Sequence, residues 1–454
     1  MKRIVFFVIL LLSMGTVTAQ VLTLQECVAI AIEHNNSLKL KSFMANSAEY
    51  DVLSSYSGYL PSMDLSVSKG ETTVGPSIRQ AEPDEVSGFD PTTGQPIYGG
   101  IVNIPKSLTK SNSISFNVNQ NIFSAERLAN IFEAQSKNKA ARYDLQNEKN
   151  NTIQSVTEAY YSLIKELKLQ EVDKIAVERS IDQLNRTEKM YELGSKAKLD
   201  VYQAKVNLGN DKIALLTQNN TVNEAKRKLN IVMGREPNAP LDIVLIDVNH
   251  SLPSDLEELI SQALENHPLL KKNDEDIKAS KYAINRSKAK FLPTLSAFFQ
   301  YSRRNSDFEK VYSEFNFNYS WTAAVQLNMN LFNGFNDYSN VQKAKINEMQ
   351  ARENQINFIR ELKSSISSSF ENYKSYVEII DINRENLAAA REELRLAQER
   401  YQIGSGTSLD VREAQVKLTR AEETLISAQY NAMITLSKLD AELGVIEQKI
   451  MAQQ

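Results

Sequence analysis

Two acidic residues stand one helical turn apart at Asp410 and Glu413, and Asp200 repeats the first of them in a matching local sequence. Residues three apart share a helix face, so the Asp410 and Glu413 carboxylates can point the same way. Asp200 and Asp410 each follow a Gly-containing turn, where a negative charge at a helix start is also favoured by about 0.3–1 kcal/mol. This is electrostatic rather than catalytic chemistry. His34, His250 and His267 are the only histidines, and their spacing suits no metal. The methionines are scattered and give no copper-binding pattern. No nucleophile elbow, phosphate loop or dinucleotide fingerprint is present. Carboxylates such as Glu258 read as ordinary solvated helix faces. The expectation is no enzyme, no cofactor and no metal. A net charge of −4 gives no electrostatic case for a nucleic-acid partner.

The elements that must position these residues are duplicated. Residues 191–208 read YELGSKAKLDVYQAKVNL and residues 401–418 read YQIGSGTSLDVREAQVKL, about 210 residues later. Leu60-Pro61 recurs as Leu292-Pro293, and Leu229 and Gly234 recur as Leu439 and Gly444. Asn121-Ile122-Phe123 recurs as Asn330-Leu331-Phe332, and the offset shrinks from about 232 at Leu-Pro to about 209 there, which places an insertion in the first half. The Gly/Pro/Thr-rich segment 70–110 holds it and reads as an exposed loop. Each half begins with a helix that stops at Leu-Pro. A strand pair, a very long helix, a Gly turn and a return helix follow. The first half, 20–250, has strands at about 62–69 and 111–122 and helices at 124–193 and 199–233. The second, 251–445, has strands at about 294–302 and 320–331 and helices at 335–403 and 409–443. Residues 446–454 read as a tail. Gly194 and Gly404 supply the left-handed conformation that ends a helix.

The strand segments alternate with period two, as in Met63, Leu65 and Val67 against Asp64, Ser66 and Ser68. Trp321, Ala323, Val325, Leu327, Met329 and Leu331 form the cleanest run. One such pair suits a soluble hairpin; two matching pairs in an exported helical chain suit a bilayer. Four strands cannot close a membrane barrel, so copies of the chain must share one. Two copies give eight strands and three give twelve with an aqueous lumen. The long helices carry seven-residue ladders of a coiled-coil seam: Ile359, Ile366, Tyr373, Ile380, Leu387, Leu394 and Tyr401, and Val156, Leu163, Val177, Leu184 and Tyr191, broken at Gln170. Some 70 helical residues span roughly 100 Å.

At the N-terminus Lys2 and Arg3 precede an apolar run, and Val17 and Ala19 fit a cleavage site before Gln20. Residues 1–19 read as a signal peptide, with no Cys after it to carry a lipid anchor. Cys27, the single cysteine, lies on the apolar stripe of a helix and reads as a buried structural thiol.

The paired tips, the repeated strand pairs after Leu-Pro and the entry helix LTLQECVAIAIEHN together resemble the TolC-like outer membrane efflux proteins, over about 22–445. The resemblance implies a mainly α fold with membrane β. Three copies would form a homotrimer with a twelve-stranded β-barrel in outer membrane lipid and a long periplasmic α-helical coiled-coil barrel. It implies a passive exit duct of a tripartite efflux or type I secretion system for small molecules or polypeptides. The duct would be coupled through a periplasmic adaptor to an inner-membrane RND or ABC transporter. The tips Gly194, Ser195, Lys196 and Leu199, and Gly404, Ser405, Gly406 and Leu409, would meet the adaptor. Asp200, Asp410, Glu413 and Tyr401 would line or close the pore entrance. Threefold repetition of Asp410 and Glu413 would make a ring of six carboxylates with raised pKa values. Tyr401 is also a rung of the heptad ladder, where packing accounts for it. Gly406 falls where a gating Arg can occur in the family. Trp321, Phe298 and Phe299 would belong to an aromatic girdle at the membrane interface. The competing readings are a secreted coiled-coil structural or adhesin protein without a pore, and a sensor homologue that has lost its pore.

Overall fold

The computed structural model describes residues 21–246, 255–313 and 315–452. The cleavage site, His250 and the boundary between the halves lie outside the described residues. The first half contains β1 (Val21–Leu22), α1 (Leu24–His34), α2 (Asn36–Ser57) and β2 (Ser62–Val74). It continues with β3 (Ser77–Gln80), β4 (Val86–Phe89), β5 (Pro96–Tyr98), β6 (Ile101–Ile104) and β7 (Ser107–Phe123). α3 (Ala125–Glu192), α4 (Lys198–Val232) and β8 (Asp242–Ile243) complete it. The second half contains α5 (Leu256–Asn266), α6 (Pro268–Ala289), β9 (Thr294–Asn305), α7 (Phe308–Ser313) and β10 (Tyr319–Asn328). It ends with α8 (Asn336–Gln402), α9 (Ser408–Glu442) and α10 (Ile446–Ala452).

Two compact units cut across the sequence repeat, each drawing on both halves. One comprises residues 49–135 and 278–348; the other takes the rest of the described chain. No helix of the described residues is long and apolar enough to cross a membrane, which bears on helices alone.

The strand unit holds one four-stranded antiparallel sheet in the order β10-β9-β7-β2. Its register aligns Leu65, Phe116, Tyr301 and Trp321 in one row, with Met63, Val118, Phe299 and Ala323 in another. These rows share one face, because side chains two apart on a strand point the same way. The other face carries an all-serine row. Ser66 shares a 2.6 Å hydrogen bond with Ser115, Ser115 is in register with Ser302, and Ser302 bonds Ser320 at 2.9 Å. Phe298 pairs with Asn119 and Ala324, so it belongs to this polar face. The expected girdle of Trp321, Phe298 and Phe299 therefore loses Phe298: consecutive strand residues point to opposite faces.

The expected loop at 70–110 is also corrected. β2 and β7 remain paired out to Val74 and Ser107, and β3–β6 and β4–β5 form two small antiparallel sheets. Strand-forming residues such as Ile78, Val86, Ile97 and Ile101 lie between the Gly and Pro turns, and these pair locally.

In the helical unit the core gathers α1, α3, α4, α9 and α10. Leu24, Cys27, Ala31, Val156, Tyr160, Leu163, Leu229 and Met233 are fully enclosed. Thr23 caps α1: its Oγ1 accepts from Glu26 N–H at 3.3 Å, and its own N–H donates to the Glu26 carboxylate at 2.8 Å. Burial pushes the Cys27 thiol up to about 12, so it stays protonated and inert. Ile366, Tyr373, Ile380, Leu394 and Tyr401 of the α8 ladder are buried. In α3, Val156, Leu163 and Val177 are buried while Tyr191 is exposed. The expected tail is instead α10. Ile446 and Ile450, four apart on one helix face, bury their side chains in the core.

Candidate functional site

The two hairpin tips lie within the helical unit. Each long helix ends in the same hydrogen-bonded motif. Gly194 N–H donates to Tyr191 O at 2.9 Å and Ser195 N–H to Met190 O at 2.9 Å. Gly404 N–H donates to Tyr401 O at 3.2 Å and Ser405 N–H to Arg400 O at 2.9 Å. Both glycines hold the positive φ this stop requires, +75° and +76°. The return helices end in the same way at Gly234 and Gly444.

The starts of the return helices differ. Thr407 makes a complete capping box with Asp410: the Thr407 N–H donates to the carboxylate at 2.9 Å, and its Oγ1 accepts from Asp410 N–H at 3.1 Å. Ala197 occupies the equivalent place and can only donate its N–H to Asp200, at 3.2 Å. Asp200 turns its other oxygen to the second tip and accepts from Ser408 Oγ at 3.2 Å. Lys196 of the first tip lies over the Tyr401 ring, 4.4 Å from its centroid. The structure thus brings Asp200, Lys196, Tyr401 and Ser408 together across the two tips.

Asp410 is engaged elsewhere. Hydrogen bonds from Thr407, with Arg400 nearby, hold its carboxyl below the usual carboxylate range. Within one chain this runs opposite to the rise expected of an acidic ring. Glu413 is exposed, with Lys417 one turn further on. Tyr401 is buried among Leu394, Val411, Ala414 and Leu418, as a ladder rung should be. A Cβ on Gly406 would lie 3.1 Å from both Arg400 Cβ and Tyr401 N, so an arginine there would need these neighbours to give by a few tenths of an ångström. The tip's guanidinium comes from Arg400 instead, which donates to Ser405 O at 3.3 Å. Leu193, Leu199, Ile403 and Leu409 project into solvent at the two tips.

Behind the tips lies a polar junction that sequence reasoning missed. Arg412 of α9 grips Asp211 of α4 with two bonds of 2.7 and 2.8 Å, and Ser180 of α3 donates to the same carboxylate. Arg179 donates to Thr419 at 3.3 Å and Glu422 at 3.2 Å. Asp173 and Glu423 line the adjoining cavity of about 330 Å³. Burial first, then neighbouring carboxylates, pushes both of their pKa values up. The available signal was the mismatch of Arg412 with Tyr202 in the repeat. Its partner, two hundred residues away, had no local mark.

Long helical hairpins and a four-stranded sheet with two open edges define a strand-and-coiled-coil protein. The chain belongs to the outer membrane efflux protein family, whose description "Outer membrane efflux protein" matches residues 28–235 and 259–445. It is 24% identical over 304 residues to "Probable efflux pump outer membrane protein TtgC" of Pseudomonas putida, covering 64% of this chain and 60% of that protein. The chain thus spans about 60% of the length of the first curated relatives it matches. It is 21% identical over 328 residues to "Outer membrane protein TolC" of Escherichia coli, covering 68% and 64%. In fold it is similar to the Campylobacter jejuni CmeC outer membrane channel, with a TM-score of 0.77 at 18% identity over 94% of this chain and 88% of that one. The open-state Neisseria gonorrhoeae MtrE channel gives a TM-score of 0.73 at 15% identity over 93% and 89%.

Proposed function

We propose that the chain is the outer membrane exit duct of a tripartite efflux or type I secretion system, working as a passive homotrimeric channel. The carrying observation is the sheet order β10-β9-β7-β2, which leaves β10 and β2 as unpaired edges. All three pairings are antiparallel, so these two edges run in opposite senses. β2 of one copy can therefore continue the sheet onto β10 of the next. Closure of that kind is obligatory in lipid, where every unpaired backbone group costs several kcal/mol. Three copies give twelve strands, with the Leu65–Trp321 face to lipid and the serine row to the lumen.

The tips 194–200 and 404–410 would dock a periplasmic adaptor, which links the duct to an inner-membrane RND or ABC pump. Their exposed Leu193, Leu199, Ile403 and Leu409 support this reading. Asp200, Tyr401, Asp410 and Glu413 would form the entrance, with Glu413, free of capping duty, as its ion-facing carboxylate. The names of relatives called antibiotic and toluene efflux proteins favour small-molecule cargo. Reconstitution in a planar bilayer tests the duct: discrete, cation-preferring conductance is expected. Asp410→Ala with Glu413→Ala should reduce that preference, and unchanged selectivity refutes the acidic entrance. An outer-membrane fraction devoid of the protein, or a protein that never conducts, refutes the duct.

A further inference from the structure

The described part of the connection between β9 and β10, residues 306–313 and 315–318, lies at the strand ends remote from the Leu292-Pro293 helix stop. It does not simply cross the strand ends. Arg303 sits in the row of Val67, Ile114 and Tyr319, which belongs to the apolar face. It is only 2% exposed. Its Nη2 donates to Lys310 O at 3.3 Å and Phe317 O at 3.4 Å, and its guanidinium lies 4.8 Å from the centroid of the Phe315 ring. Asn112, in the next row of that face, donates to Asn305 O at 3.2 Å and Ser306 O at 3.0 Å. Lys69, in the same row, lies over the Phe308 ring at 5.3 Å. Three side chains from three strands of one face thus hold the connection. It folds back over the apolar side of the sheet and buries its own Val311.

The side turned away from the sheet is aromatic. Tyr312 is 41% exposed, Phe315 64% and Phe317 66%, and Tyr319 and Trp321 continue this band on β10. We propose that residues 306–313 and 315–318 form an aromatic clip, pinned by Arg303 to the outer wall of the barrel, that inserts Phe315 and Phe317 into the lipid headgroup zone. The proposal rests on the reading of the apolar face as lipid-facing. The occupant is lipid because the clip continues that face. Its helix α7 packs mainly on β7 and β9, the central strands, and Lys69 reaches it from an edge strand, where another copy would pair. Aromatic side chains partition to this zone, where one end meets acyl chain and the other water. Arg303 on a lipid-facing wall would be costly bare, and the clip offers its Nη2 two carbonyl acceptors and its guanidinium the face of the Phe315 ring.

The chain has a single tryptophan, Trp321, which makes the test direct. The full protein is reconstituted into vesicles of phosphatidylcholine with or without bromine on the acyl chains. Trp321 in the unaltered protein reports the lipid face, and Trp321→Phe combined with Phe315→Trp or with Phe317→Trp reports the clip. The clip reporters should lose most of their emission in brominated vesicles, as Trp321 does, and be shielded from aqueous iodide. Adding Arg303→Ala should reverse both properties at position 315; unchanged quenching overturns the pin. Iodide quenching of the clip reporters with Trp321 still quenched by lipid places the clip in water and overturns the proposal alone. Shielding from both quenchers means that another copy covers the clip, which also overturns it. Loss of lipid quenching at Trp321 itself overturns the lipid-facing wall and the clip with it.

Discussion

The first and second hairpins share a backbone plan but spend their side chains differently. Tyr191 and Tyr401 occupy the same place in the repeat, yet Tyr191 is 43% exposed and Tyr401 4%. The second hairpin closes on itself through Tyr401, Val411, Ala414 and Leu418, and its return helix has a full capping box. The first hairpin lacks the capping hydroxyl, and its Asp200 and Lys196 reach across to the second instead. The lesson is that the two copies share the turns, while the second caps its own return helix and buries its tip tyrosine and the first completes its tip through contacts to the second. The same asymmetry recurs where the entry helices break: Asn35 in the first half corresponds to His267 in the second. Asn35 bonds Val232 O at 2.9 Å, whereas His267 is buried edge-on against Phe358.

The largest test of this comparison concerns the four helix-ending glycines. A Cβ on Gly234 would lie 2.5 Å from His34 O at a φ of +74°, whereas one on Gly404 would meet nothing within 4 Å. Gly234→Ala should cost about 3–4 kcal/mol, and Gly404→Ala about 1 kcal/mol. Denaturant unfolding in detergent, followed by helical circular dichroism, measures both. Equal losses would mean that the tips are as crowded as the hairpin bases.

The bridge between hairpins is next. Arg412→Met strands Asp211, whose side chain is 13% exposed, and should cost about 2–3 kcal/mol, less than a fully buried pair because Arg412 is 23% exposed. Lys205→Met breaks an open pair with Glu188, 53% and 41% exposed, and should change stability by under about 0.5 kcal/mol. Adding Asp211→Asn to Arg412→Met should recover much of the loss; no recovery would show that the bridge contributes little.

His267 makes the entry-helix comparison pH-dependent. Burial lowers its pKa from 6.5 to about 4, and its Nδ1 accepts from Leu269 N–H at 3.2 Å. Below pH 6.5 the unfolded chain binds a proton that the folded chain refuses until about pH 4. Stability must therefore fall as the pH drops through that window, by on the order of 3 kcal/mol. His267→Asn, the residue of the first half, should flatten this slope. A slope unchanged in the variant assigns the acid sensitivity to other groups.

The smallest effect exchanges the caps. Thr407→Ala should cost about 1 kcal/mol and Ala197→Thr should gain somewhat less. Opposite signs in the same unfolding assay support the capping difference; two losses would show that the first tip needs its alanine.

Much of this molecule is written in local sequence. Gly194 and Gly404 mark helix stops because only a left-handed residue closes the motif there. Leu60-Pro61 and Leu292-Pro293 end helices through proline's own sterics. The heptad ladder through Ile366, Tyr373 and Ile380 announces a buried seam because periodicity needs no knowledge of the partner. Strand alternation likewise separates Trp321 from Gln326, and the same rule, applied strictly, would have put Phe298 and Phe299 on opposite faces. The hairpins inside 75–106 escaped because short strands between Gly and Pro turns look like loop.

What the sequence alone determined, then, was the duplication, the turns, the seams and the class of fold, all carried by residues close together in the chain. Tertiary structure decided which copy's tyrosine is buried, that Arg412 finds Asp211 and that Arg303 draws residues 306–313 and 315–318 over the apolar face. Those outcomes depend on charges and rings meeting across long stretches of chain. Their energies exist only once desolvation and geometry are set by the fold, so no local pattern encodes them.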